Sequence, residues 1–307
     1  MCAFGRKGTH SRVKRPFMLE AGYMLFDVFT DVAFAGNQLA VFPDVTLDDA
    51  TMQRLARELN LSETVFLSPA ADVVASLRIF TPLSEVPFAG HPTVGAAIAL
   101  VDHLWWIGPN ETSFVLREKI GDVPIRIERG KPTTAWLTTP QVEFGRTVDR
   151  LDAAAIVSLQ PSDVRDDLPI EFAGAGNLFL YVPLTSKAAV DRAVFDVIAA
   201  RERLPSSPIT DVYAFAQSES GAYARMFAPM FGIAEDPATG SATGPLYAYL
   251  ARHGKLARKE RFTNEQGVAM GRRSVLRVLL TWNGKKLEQV EVGGNAVFMG
   301  EGKMRIP

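Results

Sequence analysis

Arg78-Ile79-Phe80-Thr81-Pro82, followed by Gly90-His91-Pro92-Thr93 and an apolar run to Leu100, has a counterpart later in the chain. There the sequence reads Arg225-Met226-Phe227-Ala228-Pro229, then Gly240-Ser241-Ala242-Thr243 and an apolar run to Leu250. Phe80 and Phe227 are 147 residues apart and Gly90 and Gly240 are 150 apart, so a three-residue insertion reconciles the two copies. Each copy reads as a strand, a loop and a buried helix opened by glycine and small polar residues. Duplication of such a unit predicts two similar domains related by a pseudo-twofold axis, with both helix N-termini facing one cleft.

Working outward, the pattern predicts strands over 25–29 and 39–42 with a turn at 34–37 between them. An amphipathic helix is expected over 46–60, with Met52, Leu55, Ala56 and Leu59 on one stripe and Asp48 and Asp49 at its positive end. Strands at 63–67 and 76–80, a small-residue helix at about 93–104, and strands at 114–118 and 123–128 complete the first half. The second half ends in strands at 275–281, 287–292 and 296–299. The expected division is an extension at 1–22, a first domain at 24–140 and a second at 141–295. Residues 296–307 are left to cross back to the first domain.

The 307 residues are enough for two cores, and 47% apolar with 22% charged residues is a globular balance. The longest apolar runs, such as 94–101, fall far short of the ~20 residues needed to cross a bilayer, so no membrane span is expected. Arg6, Lys7, Arg12, Lys14 and Arg15 make the start basic, without the apolar core of a signal peptide. It reads as a tail, or as residues ahead of a true start at Met18 or Met24. Beyond it, 28 basic face 34 acidic residues, which does not favour nucleic acid or another polyanion.

Cys2 is the only cysteine, so no internal disulfide is expected and a reducing cytoplasm fits. His10, His91, His103 and His253 lack ligand spacing, so no metal is expected. No Walker sequence or GxGxxG between strand and helix is present, and no nucleotide or redox cofactor is expected.

Glu63 interrupts the apolar run Leu61-Ser62-Glu63-Thr64-Val65-Phe66-Leu67 and shares a strand face with Leu61 and Val65. A carboxyl in such surroundings has its pKa raised toward the range of a general acid/base, although an edge or capping glutamate would read the same way. Gly90 and Gly240 open helices whose free N–H groups could clamp an anion, or they serve close packing. His91 could hydrogen-bond a substrate or sit in the loop. Asp236, ahead of Pro237, and Ser241 could act in the cleft or merely shape the turn.

Four motifs taken together carry a resemblance: Gly36-Asn37-Gln38-Leu39-Ala40-Val41, Asn60-Leu61-Ser62-Glu63-Thr64, Phe88-Ala89-Gly90-His91-Pro92-Thr93-Val94-Gly95 and Asp236-Pro237-Ala238-Thr239-Gly240-Ser241-Ala242. They resemble the PhzF-like phenazine-biosynthesis family from Met24 to the C-terminus. The resemblance implies a fold like that of diaminopimelate epimerase, with two related α/β domains that each wrap a β-sheet around a central helix. It also implies a cofactor-independent isomerase acting on a small carboxylate-bearing substrate, in which Glu63 is catalytic and His91, Asp236 and Ser241 contact substrate or assist proton transfer. Gly90 and Gly240 match helix-opening positions, and Asn37 lies in a motif that approaches the substrate. A homodimer is a further expectation of the resemblance.

The epimerase branch uses two facing cysteines at the helix openings, where this chain has Gly90 and the pair Gly240-Ser241. A single-carboxylate proton shuttle is the form of the chemistry that remains. The competing readings are a noncatalytic anion-binding or protein-interaction protein of the same fold and a serine hydrolase built on Ser241, which lacks a nucleophile elbow. Phe88, Tyr213 and Phe231 are candidate wall residues.

Overall fold

The computed structural model describes residues 19–44, 46–204, 211–229 and 232–306. Cys2, His10, the basic residues of the expected tail and Phe231 lie outside them. The strands form one continuous sheet of two similar runs. In the first, the spatial order is Ala296–Ile306, Leu19–Val28, Asn37–Phe42, Glu63–Pro69, Ala75–Phe80, Ser113–Glu118, Gly121–Glu128 and Thr134–Thr138. In the second it is Glu143–Val148, Ile170–Ala175, Asn177–Pro183, Asp211–Ser218, Gly221–Ala228, Arg261–Gln266, Ser274–Asn283 and Lys286–Gly294.

The pairing senses follow the same series in both runs: two antiparallel, one parallel, one antiparallel, one parallel and two antiparallel. The last strands of the two runs pair with each other, with Leu137 opposite Val292. Those two residues occupy equivalent positions, opposite Ile125 and Val278 respectively, so the pseudo-twofold passes between them.

Each run encloses one central helix, Gly90–Asp102 or Gly240–Arg252. Every residue from Gly90 to Val101 is buried, as expected of a helix apolar on all sides and wrapped by a sheet. Gly95 permits the close approach: a Cβ there would lie 2.5 Å from a Leu39 methyl. The helix begins three residues before the expected 93, because a proline in the first turn needs no N–H partner and Pro92 therefore does not delay it.

The quoted repeat builds the same local structure twice. Arg78 forms a two-point ion pair with Glu85 (2.9 and 3.0 Å) and lies over Phe80, while Arg225 pairs with Glu235 (2.8 and 2.7 Å) and lies over Phe227. Thr93 and Thr243 each donate to the carbonyl four residues earlier, Ala89 and Thr239.

Helix Asp49–Leu59 is capped by the Asp48 side chain on Thr51 N–H (2.7 Å) and ended by Asn60 at φ 51. Two expectations need correction. The first strand begins at Leu19 rather than 25, inside the expected 1–22 extension, and the last runs to Ile306 rather than 299. Each is lengthened by the other, from Leu19 opposite Ile306 to Val28 opposite Ala296. That non-local pairing leaves little trace in a short window of polar and glycine residues.

Candidate active site

The two central helices meet nose to nose. A Cβ on Gly90 would lie 2.6 Å from both Gly240 Cα and Ser241 N, and one on Gly240 would lie 3.0 Å from Gly90 Cα. Only glycine permits that approach, and it turns the unpaired N–H groups of both first turns toward one cleft. The cleft is lined by Glu63, His91, Asp236, Ser241 and both glycines.

Glu63 opens its strand beside Leu39, with solvent reaching 13% of its side chain. Burial pushes its carboxyl well above the ordinary carboxylate range, and the charges of Asp236 and Asp211 push in the same direction. Its Oε2 has no hydrogen-bond partner and lies 3.5 Å from His91 Nδ1. Burial lowers the His91 pKa to about 3, with the Gln38 backbone opposing it only in part, so the imidazole is neutral at physiological pH.

Asn37 is buried and ties the two halves together through its side-chain amide. Its Nδ2 lies 2.7 Å from Asp236 Oδ1, 3.1 Å from the Ala238 carbonyl and 3.2 Å from His91 Nδ1. Two hydrogens cannot serve three acceptors fully; the shorter distances assign them to Asp236 and Ala238, which leaves His91 Nδ1 open toward Glu63. Thr239 Oγ1 donates to Asp236 Oδ2 (2.6 Å), so both oxygens of that carboxyl are engaged. Gln266 braces the turn by donating to the Asp236 carbonyl (2.8 Å) and Thr239 Oγ1 (2.9 Å). Burial raises the Asp236 pKa to about 6, opposed by hydrogen bonds from Thr239, Asn37 and Ser62.

Glu63, His91, Asp236, Ser241, Asn37, Gly90 and Gly240 are thus gathered at one place, Asn37 through its bonds to Asp236 and Ala238. Two candidate wall residues are not on the wall. Tyr213 is fully buried behind it, its hydroxyl 3.3 Å from Gln266 Oε1, and Phe88 is buried with its carbonyl 3.4 Å from Asn177 Nδ2. Among the described residues, the phenyl ring that lines the cleft is that of Phe179.

Sequence reasoning missed Asp211, Asn177, Thr239 and Gln266. Strand register finds two of them. Asp211 stands opposite Phe179 as Glu63 stands opposite Leu39, and Asn177 and Asn37 each lie two residues earlier. Among the described residues, no group of three or more His, Cys, Asp or Glu is arranged to hold a metal ion. What the cleft offers is a desolvated acid/base beside two convergent sets of N–H donors, an arrangement suited to holding an anion while a proton is moved.

Residues 26–302 match the family described as Phenazine biosynthesis-like protein. The chain is similar to the trans-2,3-dihydro-3-hydroxyanthranilate isomerase of Pseudomonas chlororaphis, at 38% identity over 287 residues, which span 91% of this chain and 98% of the relative. It is also similar to the solved structure of a predicted epimerase from Pseudomonas aeruginosa, with 34% identity, a TM-score of 0.79 and coverage of 92% and 99%. The fold is shared with a PhzF-family phenazine biosynthesis protein of Bacillus anthracis, at 24% identity, a TM-score of 0.84 and coverage of 94% and 100%.

Proposed function

Because this chain belongs to the phenazine biosynthesis-like protein family and is an isomerase, we propose that it moves a proton between carbons of a small carboxylate-bearing substrate, with Glu63 as acid/base. The observation that carries this reading is the buried, unpartnered Oε2 of Glu63 in the same cleft as two helix N-termini.

The substrate carboxylate lies against the N–H groups at Gly90-His91 and Gly240-Ser241, with the Ser241 hydroxyl beside it. Ionised Glu63 takes a proton from an adjacent carbon; the C–H electron pair spreads into the carboxylate or a conjugated double bond, where the helix N-termini stabilise it. Protonated Glu63 then delivers that proton to another carbon, which restores the carboxylate and shifts the double bond. Neutral His91 lies beside Glu63, its Nδ1 3.5 Å from Oε2, and Asp236 fixes Asn37 and Thr239 between the halves.

The pairing of Ala296–Ile306 with Leu19–Val28 supports dividing the chain into 19–140 completed by 296–306, and 141–295. A cytoplasmic homodimer is part of the same reading. Among the described residues, no helix is long and apolar enough to cross a membrane.

The test is deuterium incorporation from heavy water, followed by NMR. The substrates are trans-2,3-dihydro-3-hydroxyanthranilate and a panel of cyclic-diene and amino-substituted carboxylic acids, with native protein and Glu63→Gln. Incorporation by the native protein alone is expected. Equal incorporation by both forms removes Glu63 from its role, and inactivity of both on ligands that bind favours a binding protein.

A further inference from the structure

The strand registers that align the halves bring a second carboxyl to the cleft. Asp211 opens its strand as Glu63 does, lines the same cleft and is only 6% exposed, and its Oδ1 has no hydrogen-bond partner. The three carboxyl groups of the cleft differ in what remains free. Both oxygens of Asp236 are engaged, by Asn37 and Thr239, and Glu63 is committed to proton transfer. Asp211 has an acceptor with no assigned partner.

No lysine or arginine is among the described residues that line the cleft, and the titratable groups that share it with Asp211 are Glu63, Asp236 and neutral His91. A buried acceptor without a donor is costly, and a ligand that supplies one recovers that cost. Resting on the reading that the helix N-termini hold a carboxylate, we propose that Asp211 is a specificity-determining residue that receives an amino group on the substrate, so that the site selects amino-substituted carboxylates over plain ones. Burial raises the Asp211 pKa to about 7, helped by the charge of Asp236, so an arriving ammonium group draws the carboxyl into its ionised form. Selection therefore strengthens as pH rises through that value.

Calorimetric titration at about pH 8 with trans-2-aminocyclohexanecarboxylate and cyclohexanecarboxylate tests the assignment. Native protein is expected to prefer the amino compound roughly ten- to a hundredfold, the range of a hydrogen bond to a charged group. Asp211→Asn is expected to bring the preference below about threefold with little change for cyclohexanecarboxylate, and Asp211→Glu to restore part of it. Asp211→Ser replaces Asp211→Asn should that variant fail to fold. Equal binding of both compounds by native protein, or full preference in Asp211→Asn, overturns the proposal while leaving the carboxylate reading intact. Failure of native protein to bind cyclohexanecarboxylate at all overturns that reading and this one with it.

Discussion

Asn37, Glu63, Gly90 and His91 in the first half stand where Asn177, Asp211, Gly240 and Ser241 stand in the second. The glycines are identical because each is confined by the other's backbone. The remaining pairs have diverged. Asn37 makes a buried contact to a carboxyl at 2.7 Å, whereas Asn177 makes one contact to a carbonyl at 3.4 Å. Behind the helices, Glu118 ends its strand where Gln266 ends the equivalent one. Glu118 Oε1 lies 2.5 Å from Thr93 Oγ1 and its second oxygen is unpartnered, whereas Gln266 uses its amide to brace the Asp236 turn. Backbone symmetry is preserved by packing, while each side chain is free to specialise once its twin covers the other requirement.

The comparison breaks most visibly at the acid pair. Glu63→Gln should lower the deuterium-exchange rate by about 10²- to 10⁴-fold, the usual worth of a positioned acid/base, while Asp211→Asn should act mainly on KM. Exchange should rise with pH as Glu63 ionises. Asp211→Asn should move that limb to lower pH, because removing a like charge lowers the Glu63 pKa. A rate loss in Asp211→Asn equal to that in Glu63→Gln would mean that the two carboxyls share the chemistry.

At the helix noses, Gly90→Ala should cost ~3 kcal/mol or more, since its Cβ meets backbone atoms at 2.6 Å that cannot turn away. Gly240→Ala, with its nearest contact at 3.0 Å, should cost about 1–2 kcal/mol. Urea denaturation of both variants measures the difference, and equal midpoints would contradict this geometry.

The pair behind the helices predicts a pH effect on stability. Burial raises the Glu118 pKa to about 8, opposed by the Thr93 hydrogen bond, against an unfolded value of about 4.3. The folded state holds this proton more tightly, so the contribution of Glu118 is fully present below about pH 4 and is lost as pH rises through 8. Between about pH 5 and 8 the native protein should lose roughly 3 kcal/mol more than Glu118→Gln, read from urea curves at each pH. Parallel pH dependence in the two proteins would contradict the assignment.

The smallest contrast is between the asparagines. Asn37→Ala should cost about 2 kcal/mol and Asn177→Ala less than about 1, because only the first leaves a buried carboxyl short of a donor. Thermal unfolding of the two variants ranks them.

The fold was legible in this chain because the repeat concentrates its signals locally. Arginine, phenylalanine, proline and the helix-opening glycine lie within a short segment and recur with nearly constant spacing. Glu63 stood out as a charge within an apolar run. Asp211 did not, since the interval from Asn177 to Asp211 is 34 residues against 26 from Asn37 to Glu63, and this difference hides the correspondence. Thr239 and Gln266 were illegible for a related reason: their role is to brace Asp236, and Gln266 comes from a strand 30 residues beyond it.

By itself, the sequence determined two similar halves, each with a buried helix opened by glycine, and the carboxyl that interrupts an apolar strand. Periodicity, composition and repeated local motifs are properties of short windows. Only the tertiary structure decided that the helices meet at Gly90 and Gly240, that Asn37 reaches across to Asp236, and that Asp211 lines the cleft. Those facts depend on strand register and on contacts across as many as 199 residues, where desolvation and close packing, rather than local propensity, set which groups meet.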